Sequence, residues 1–403
     1  MSTPDELILE LMTTPEGRRN PYPLYAQLQE QAPIARSELA DIWFLTRYDD
    51  CHNVLRDPRF GKSDPDKPMT LLPGGAPRNR MKFARDSMLL VNPPDHTRLR
   101  GLVAREFTPR RVEQLRDNVE SMCDDILDGI AEAGEVDLMD TLAFPLPVRV
   151  IGELLGVPEN ERDAFRPLTL AAAKAIEPDV SEAEMAAANE AGQKQADYFA
   201  DLIARRQGDP GDDLLSALIE LRDGSDRLSQ SELIATAILI FAAGFETTTN
   251  LIGNTVNTLL RRPDQLALLR QDPALIPSAI DEVLRFESPV QLDLRDAFED
   301  VQLDTHTINK DDAVITLLAA ANRDPSKINN PNEFDVTRSE IPLMSFATGI
   351  HYCLGANLAR MEGQAVLAKL LDRFDKIDLL DAEPAWRDRL TLRGLDHLNV
   401  AVA

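Results

Sequence analysis

Apolar positions recur at helical spacing through most of residues 95–290, and again from just after Cys353 to about Phe374. Strand-like runs are short. Ile34–Ser37 and Trp43–Arg47 lie within residues 20–60, beside a short helix. Val301–Leu303 and Ala313–Leu318 lie in a second mixed segment at 290–320, and short strands close the chain. Breaks in the helical pattern fall at Pro145-Leu146-Pro147, Glu177-Pro178-Asp179 and Gly208-Asp209-Pro210-Gly211, because proline lacks the helical N–H and glycine favours turns. Ser229 and Glu232 form a capping box ahead of the apolar run Leu233–Phe245. Residues 62–82, rich in Pro, Gly, Lys and Asp, read as a long surface loop, and 324–345 as an irregular meander. No internal repeat is present. The expected class is mainly α with a small β-rich part (α+β), the β-rich portions lying near 33–47, 290–320 and 385–403. The regular βα alternation of a doubly wound fold is missing.

Composition narrows the partners. The 403 residues are 43% apolar, enough for a large core, and carry a net charge of −25. That charge argues against nucleic acid or an anionic membrane surface as a partner. Cys51, Cys123 and Cys353 are too few and too scattered for a disulfide framework or a zinc cluster, and fit a reducing cytosol. The segment Met1–Glu16 has acids from Asp5 onward and no basic, then apolar, leader pattern, so neither a signal peptide nor an anchor is expected. The run Leu233–Phe245 is too short to span a bilayer and reads as a buried helix.

Three constellations carry chemistry. The first is Phe346-Ala347-Thr348-Gly349-Ile350-His351-Tyr352-Cys353-Leu354-Gly355. A thiol just ahead of a helix faces free N–H groups and the positive end of the macrodipole, both of which favour thiolate. Gly349 and Gly355 permit a tight loop and close approach of something flat. One thiolate with an open face suits a metal already caged by another group, such as haem iron. A lone cysteine is more often a small core hydrophobe; the glycines and His351 argue the other way. The second constellation is Ala243-Gly244-Phe245-Glu246-Thr247-Thr248, inside the apolar helix. A mid-helix glycine costs about 1 kcal/mol, and a carboxylate among apolar neighbours needs partners. Gly244 would leave room for a ligand, and Glu246 with Thr247 could relay protons. Alternatively Glu246 faces solvent on an amphipathic helix. In the third, Asn92–Arg100, His96 and Arg100 stand at i,i+4 and could clamp an anion, or could form a solvated basic face. Arg98, Arg100, Arg105, Arg110 and Arg111 are locally basic in a very acidic chain, which hints at an acidic docking partner. Glu282 and Arg285, at i,i+3, would by themselves be surface decoration. His52, His306 and His397 are isolated.

Taken together and in this order, these motifs resemble those of the cytochrome P-450 monooxygenases. Phe346-x-x-Gly349-x-His351-x-Cys353-x-Gly355 is similar to their haem-thiolate loop, and Ala243-Gly244-x-Glu246-Thr247 to their oxygen-activation helix. Glu282-x-x-Arg285 with Arg338 is similar to their Glu-Arg-Arg cluster. The likeness runs from about Asn20 to the end, and the length is that of the soluble bacterial members. It implies one haem-thiolate domain over residues 1–403, a helical prism in the cytoplasm, with heme b held by the axial thiolate of Cys353. It also implies that His96, Arg100, Arg295 and His351 hold the propionates, and that Phe346, Gly349 and Gly355 shape the loop. Glu282, Arg285 and Arg338 become structural. Asp293 could face a polar substrate or pack near a propionate. Glu246 and Thr247 would deliver protons for O2 activation. Leu239, Ala243, Val290, Leu292 and Leu392 would line an apolar substrate, with Met88 and Leu89 as weaker candidates and residues 165–195 as a loosely packed lid. The reaction implied is hydroxylation or epoxidation of a small apolar molecule, with electrons from a ferredoxin-type donor and an NAD(P)H-dependent reductase. A peroxygenase using hydrogen peroxide, a haem- or gas-binding protein, and a helical protein with a core cysteine are the competing readings.

Overall fold

Four successive apolar residues, Ile42-Trp43-Phe44-Leu45, are all buried, the pattern of a strand covered on both faces. In the computed structural model, which describes residues 2–63, 85–177, 179–220 and 228–403, they form β2. It lies in a five-stranded mixed sheet of order β1-β2-β8-β5-β3. The other members are β1 (Ile34–Ser37), β3 (Phe60–Gly61), β5 (Asp293–Ala297) and β8 (Ala313–Thr316). Among the described residues only the β2–β8 pairing is parallel, with Trp43 opposite Val314; β5 runs antiparallel to β8, with Arg295 opposite Val314. The remaining strands are β4 (Glu135–Asp137), β6 (Val301–Leu303), β7 (His306–Ile308), β9 (Ile377–Leu379), β10 (Ala385–Trp386), β11 (Leu395–His397) and β12 (Asn399–Val402), in small antiparallel groups. The fold is α+β and mainly helical. Beyond Ser63, the loop expected at 62–82 lies outside the described residues.

The chain divides into two compact units, each discontinuous in sequence: Met1–Gly61, Val112–Leu146 and Thr247–Ala403 in one, Lys62–Arg111 and Pro147–Glu246 in the other. The first contains the sheets. Its core joins Trp43, Leu45, Leu55, Val314, Met344 and Ala347. A second core sets Leu251 against Ile280, Val283, Phe346, Ala356 and Leu367. The helix Ala356–Arg373 packs on Arg116–Ala133 and on Ile276–Phe286.

The meander 324–345 has no helix or strand, and side chains replace the missing ladder. Glu282 and Arg285 are fully buried rather than exposed, paired by two hydrogen bonds of 2.7 Å. The remaining Arg285 donors reach the carbonyls of Asn322, Pro331 and Glu333 at 2.8–3.2 Å. Arg338 approaches Glu282 at 3.2 Å and donates to the Asn329 carbonyl at 2.9 Å.

In the second unit, the long helix Glu182–Gly208 packs on Phe165–Ala173. The segment expected to be loosely held begins at a buried ring: Phe165 meets Phe241 at 4.5 Å and Tyr198 at 4.6 Å between centroids. Gln195 also donates to the Thr169 hydroxyl at 3.1 Å. Pro145 opens the helix Pro145–Leu154 directly after the π-helical segment Met139–Ala143 ends, because proline fits a first turn, where its missing N–H is not needed.

The helix Gln230–Leu260 is 31 residues long and begins at the expected capping box, with Ser229 N donating to Glu232 at 2.8 Å and Glu232 N to the Ser229 hydroxyl at 3.1 Å. It far outlasts the uncharged run Leu233–Phe245. By length and composition it could cross a membrane, but 56% of its most apolar window is buried inside the protein, as in a core helix. Its second half is rich in Thr and Asn, poor helix formers, and tertiary contacts compensate. Asn254 donates to the carbonyls of Glu287 at 3.0 Å and Arg393 at 3.2 Å.

Candidate active site

Of the three cysteines, Cys51 and Cys123 are buried and Cys353 is partly exposed. Burial pushes the Cys51 thiol up, and raises Cys123 to about 12, so both remain neutral thiols. Cys353 stands three residues before the helix Ala356–Arg373. Its loop is closed by Cys353 N donating to the Phe346 carbonyl at 3.0 Å and Tyr352 N to that of Gly349 at 3.1 Å. Gly349 has a φ of 72°, and a Cβ there would lie 2.4 Å from the Leu55 carbonyl oxygen. Only glycine satisfies both constraints. Gly355 differs: nothing among the described residues lies within 4 Å of a Cβ built on it, which leaves open space beside the helix start. The Phe346 ring carries the Arg360 guanidinium at 4.6 Å, and Asp281 holds that arginine at 2.7 Å.

The base of the loop is tied down by residues the sequence did not single out. Asn322 accepts from Met344 N and donates to the Ser345 hydroxyl, both at 2.7 Å, and Ser345 donates to the Leu284 carbonyl at 2.6 Å. The Glu282–Arg285 cluster and the cysteine loop are therefore one continuous construction. A lone Asn after three alanines gave no local signal, since its partners are more than twenty residues away.

On β5, Arg295 is buried. One of its Nη atoms donates to the Leu294 carbonyl at 3.0 Å and to Asp293, while Nη2 is buried and meets no hydrogen-bond partner among the described residues. Val290 and Leu392 face each other in an isolated antiparallel bridge, flanked by Gln291 N to the Thr391 carbonyl at 3.0 Å and Arg393 N to that of Pro289 at 2.8 Å. Leu292 is half-buried beside them. The first unit thus holds Phe346, Gly349, His351, Cys353 and Gly355 on one loop, Arg295 on β5, the Val290–Leu392 bridge, and Thr247.

His96, Arg100, Leu239, Ala243 and Glu246 belong to the second unit. His96 is buried and Arg100 half-buried on the helix Asp95–Val103. Glu246 is 2% exposed, which removes the reading that it faces solvent. The role expected of Gly244 needs correction. A Cβ there would lie 3.0 Å from Ile151 Cδ1, so the glycine makes room for a core side chain. Its neighbour Ala243 is the exposed position on this otherwise well-covered stretch. Met88 is buried and Leu89 exposed. Arg105, Arg110 and Arg111 are exposed.

A half-used buried guanidinium, open space at Gly355 and a partly exposed thiol suit a flat, carboxylate-bearing macrocycle whose metal takes one sulfur ligand. Among the described residues no group of three or more His, Cys, Asp or Glu side chains could hold a bare metal ion instead. Such a protein falls in the class of haem-thiolate oxidoreductases. Comparison with known proteins agrees. The family model described as Cytochrome P450 matches residues 178–384. Cytochrome P450 107B1 of Saccharopolyspora erythraea is 43% identical over 93% of both chains. The 6-deoxyerythronolide B hydroxylase of the same organism is 41% identical over 94% of this chain and 95% of its own. The solved structure of the Bacillus subtilis 168 bacillaene polyketide synthase cytochrome P450 PksS superposes with a TM-score of 0.89 at 37% identity, covering 100% of both chains. The chain belongs to the cytochrome P450 family; it is a haem-dependent monooxygenase, an oxidoreductase whose cofactor is heme b with an axial cysteine thiolate.

Proposed function

We propose that Cys353 is the axial ligand and that the enzyme inserts one atom of O2 into an apolar small molecule, by hydroxylation or epoxidation. A ferredoxin-type donor served by an NAD(P)H-dependent reductase would supply the electrons. The observation that carries the assignment is the contrast among the cysteines: two are sealed in cores, and the third is partly exposed on a loop braced by Asn322 and Ser345. Both units together form one catalytic domain in this reading, and the protein works in the cytoplasm. The hydroxylase named for 6-deoxyerythronolide B and the polyketide-associated PksS support a bulky, mostly apolar substrate.

Heme b supplies the oxygen activation and the oxidation of substrate carbon; the chain supplies position and protons. Arg295 Nη2, with His96, Arg100 and His351, would hold the propionates, and Phe346, Gly349 and Gly355 would keep the loop close to the ring. Glu246, buried in the central helix, would take up protons and pass them to the Thr247 hydroxyl beside it. A peroxygenase would not require that pair. Leu239, Ala243, Val290, Leu292 and Leu392 would exclude water and orient the substrate. Reduced holoprotein exposed to carbon monoxide should show a strongly red-shifted Soret band, and Cys353→Ala should lose both the band and turnover. A wild-type protein without that shift, or an active Cys353→Ala variant, defeats the assignment.

A further inference from the structure

Asp293 and Arg295 stand two residues apart on β5, so their side chains leave the same face of the strand. The Arg295 side chain is 2% exposed and that of Asp293 17%. Asp293 engages one nitrogen of the guanidinium, which is also tethered to the Leu294 carbonyl at 3.0 Å. The backbone beneath is fixed by pairing with Val314 and Thr316 on β8, and the Thr316 hydroxyl donates to the Asp293 carbonyl at 3.2 Å. The arginine is thus held along one edge while its other edge, Nη2, is buried with no hydrogen-bond partner among the described residues. A charged donor left this way is costly unless an acceptor completes it, and a guanidinium presents two parallel donors suited to a second carboxylate. One cation would then face two anions.

Resting on the haem-thiolate reading above, we infer that Asp293 is a positioning residue for the cofactor. It holds Arg295 with Nη2 presented to a haem propionate, and its charge lowers the reduction potential of the iron. Ferric haem carries one more positive charge than ferrous haem. A fixed anion in a poorly hydrated site therefore stabilises the ferric form and disfavours electron entry. A neutral side chain at 293 would leave the arginine's charge for the propionate alone, and the iron would reduce more readily. In this chain Asp293 sets how strongly the electron donor must reduce, a role distinct from contact with substrate.

The test is a spectroelectrochemical titration of substrate-free holoprotein for the wild type, Asp293→Asn and Asp293→Ala, with haem transfer to apomyoglobin measured in parallel. Both variants should move the midpoint upward, by about tenfold in the ferric-to-ferrous ratio at fixed potential, or about 59 mV for one electron. Asp293→Ala should also lose haem several-fold faster. Asp293→Asn should not, because its amide oxygen can still accept from Arg295. Midpoints equal to the wild type overturn the inference, even if thermal stability or substrate affinity changes, as does a downward shift. Carbon monoxide spectra separate the two levels: a wild type without the red-shifted band removes the thiolate reading, whereas unmoved potentials with that band intact remove only the role of Asp293.

Discussion

Replacing Glu362 with glutamine should stabilise the protein at neutral and alkaline pH and change little in acid. Glu362 lies on the helix Ala356–Arg373 and is 2% exposed, and its Oε2 meets no hydrogen-bond partner among the described residues. Desolvation alone pushes its pKa from 4.5 up to about 8. In the unfolded chain the acid ionises near 4.5, while in the folded protein it keeps its proton until about 8. Between those values the folded state binds the extra proton, so stability falls as pH rises through the window. At about 1.4 kcal/mol per pH unit, the loss reaches about 3 kcal/mol at pH 7 and about 5 kcal/mol above pH 8, relative to a group that never ionises. Glutamine keeps the shape without the ionisation. Because a cofactor-bound protein departs from two-state unfolding, the readout is the difference in Tm between variant and wild type at pH 5 and at pH 8. The variant should gain several degrees at pH 8 and about none at pH 5. A difference that is the same at both pH values, or larger in acid, refutes the reasoning.

Thr247→Ala should keep consuming electrons but divert them to peroxide; an unchanged yield of product per electron rules out the relay. Gly349→Ala must adopt a φ of 72° against the Leu55 carbonyl, a cost of about 2 kcal/mol or more, so Tm should fall. Gly355→Ala should leave the Tm of the haem-free protein unchanged and lower haem occupancy, and the reverse ranking of the two glycines would contradict the loop geometry. Glu282→Ala leaves Arg285 buried without its counter-ion and should destabilise by about 3–5 kcal/mol; denaturant titration showing less than about 1 kcal/mol would mean the cluster is solvated.

What could be read from sequence was whatever depends on neighbours along the chain. The cysteine loop, the capping box at Ser229 and the acid-threonine pair are local patterns, and the structure puts the loop and the capped helix start where the pattern placed them. The pairing of Glu282 with Arg285 was visible as i,i+3 spacing, but spacing carries no information on burial. Only family resemblance separated a structural cluster from surface charge. Gly244 was misread for a related reason: a mid-helix glycine says that something approaches, not whether it is a ligand or Ile151. The uncharged run Leu233–Phe245 marks only part of the central helix, because many of the buried residues from Thr248 to Thr258 are polar and find partners such as the Glu287 and Arg393 carbonyls only in three dimensions. Asn322 and Ser345 were invisible for the same reason.

An irregular surface stretch is ordinarily where insertions and deletions collect. The stretch 324–345 should not behave that way, because the carbonyls of Asn322, Pro331 and Glu333 all converge on the single fork of Arg285. Adding or removing one residue between 322 and 333 would displace an acceptor from that fork and pull on Asp335 and Val336, the next anchored positions, whose N–H groups donate to Glu282 and Gln265 at 3.0 Å. Length in this part of the chain is therefore as constrained as it would be inside a helix, and variation among related sequences should show as substitutions of side chains along a path of fixed contour.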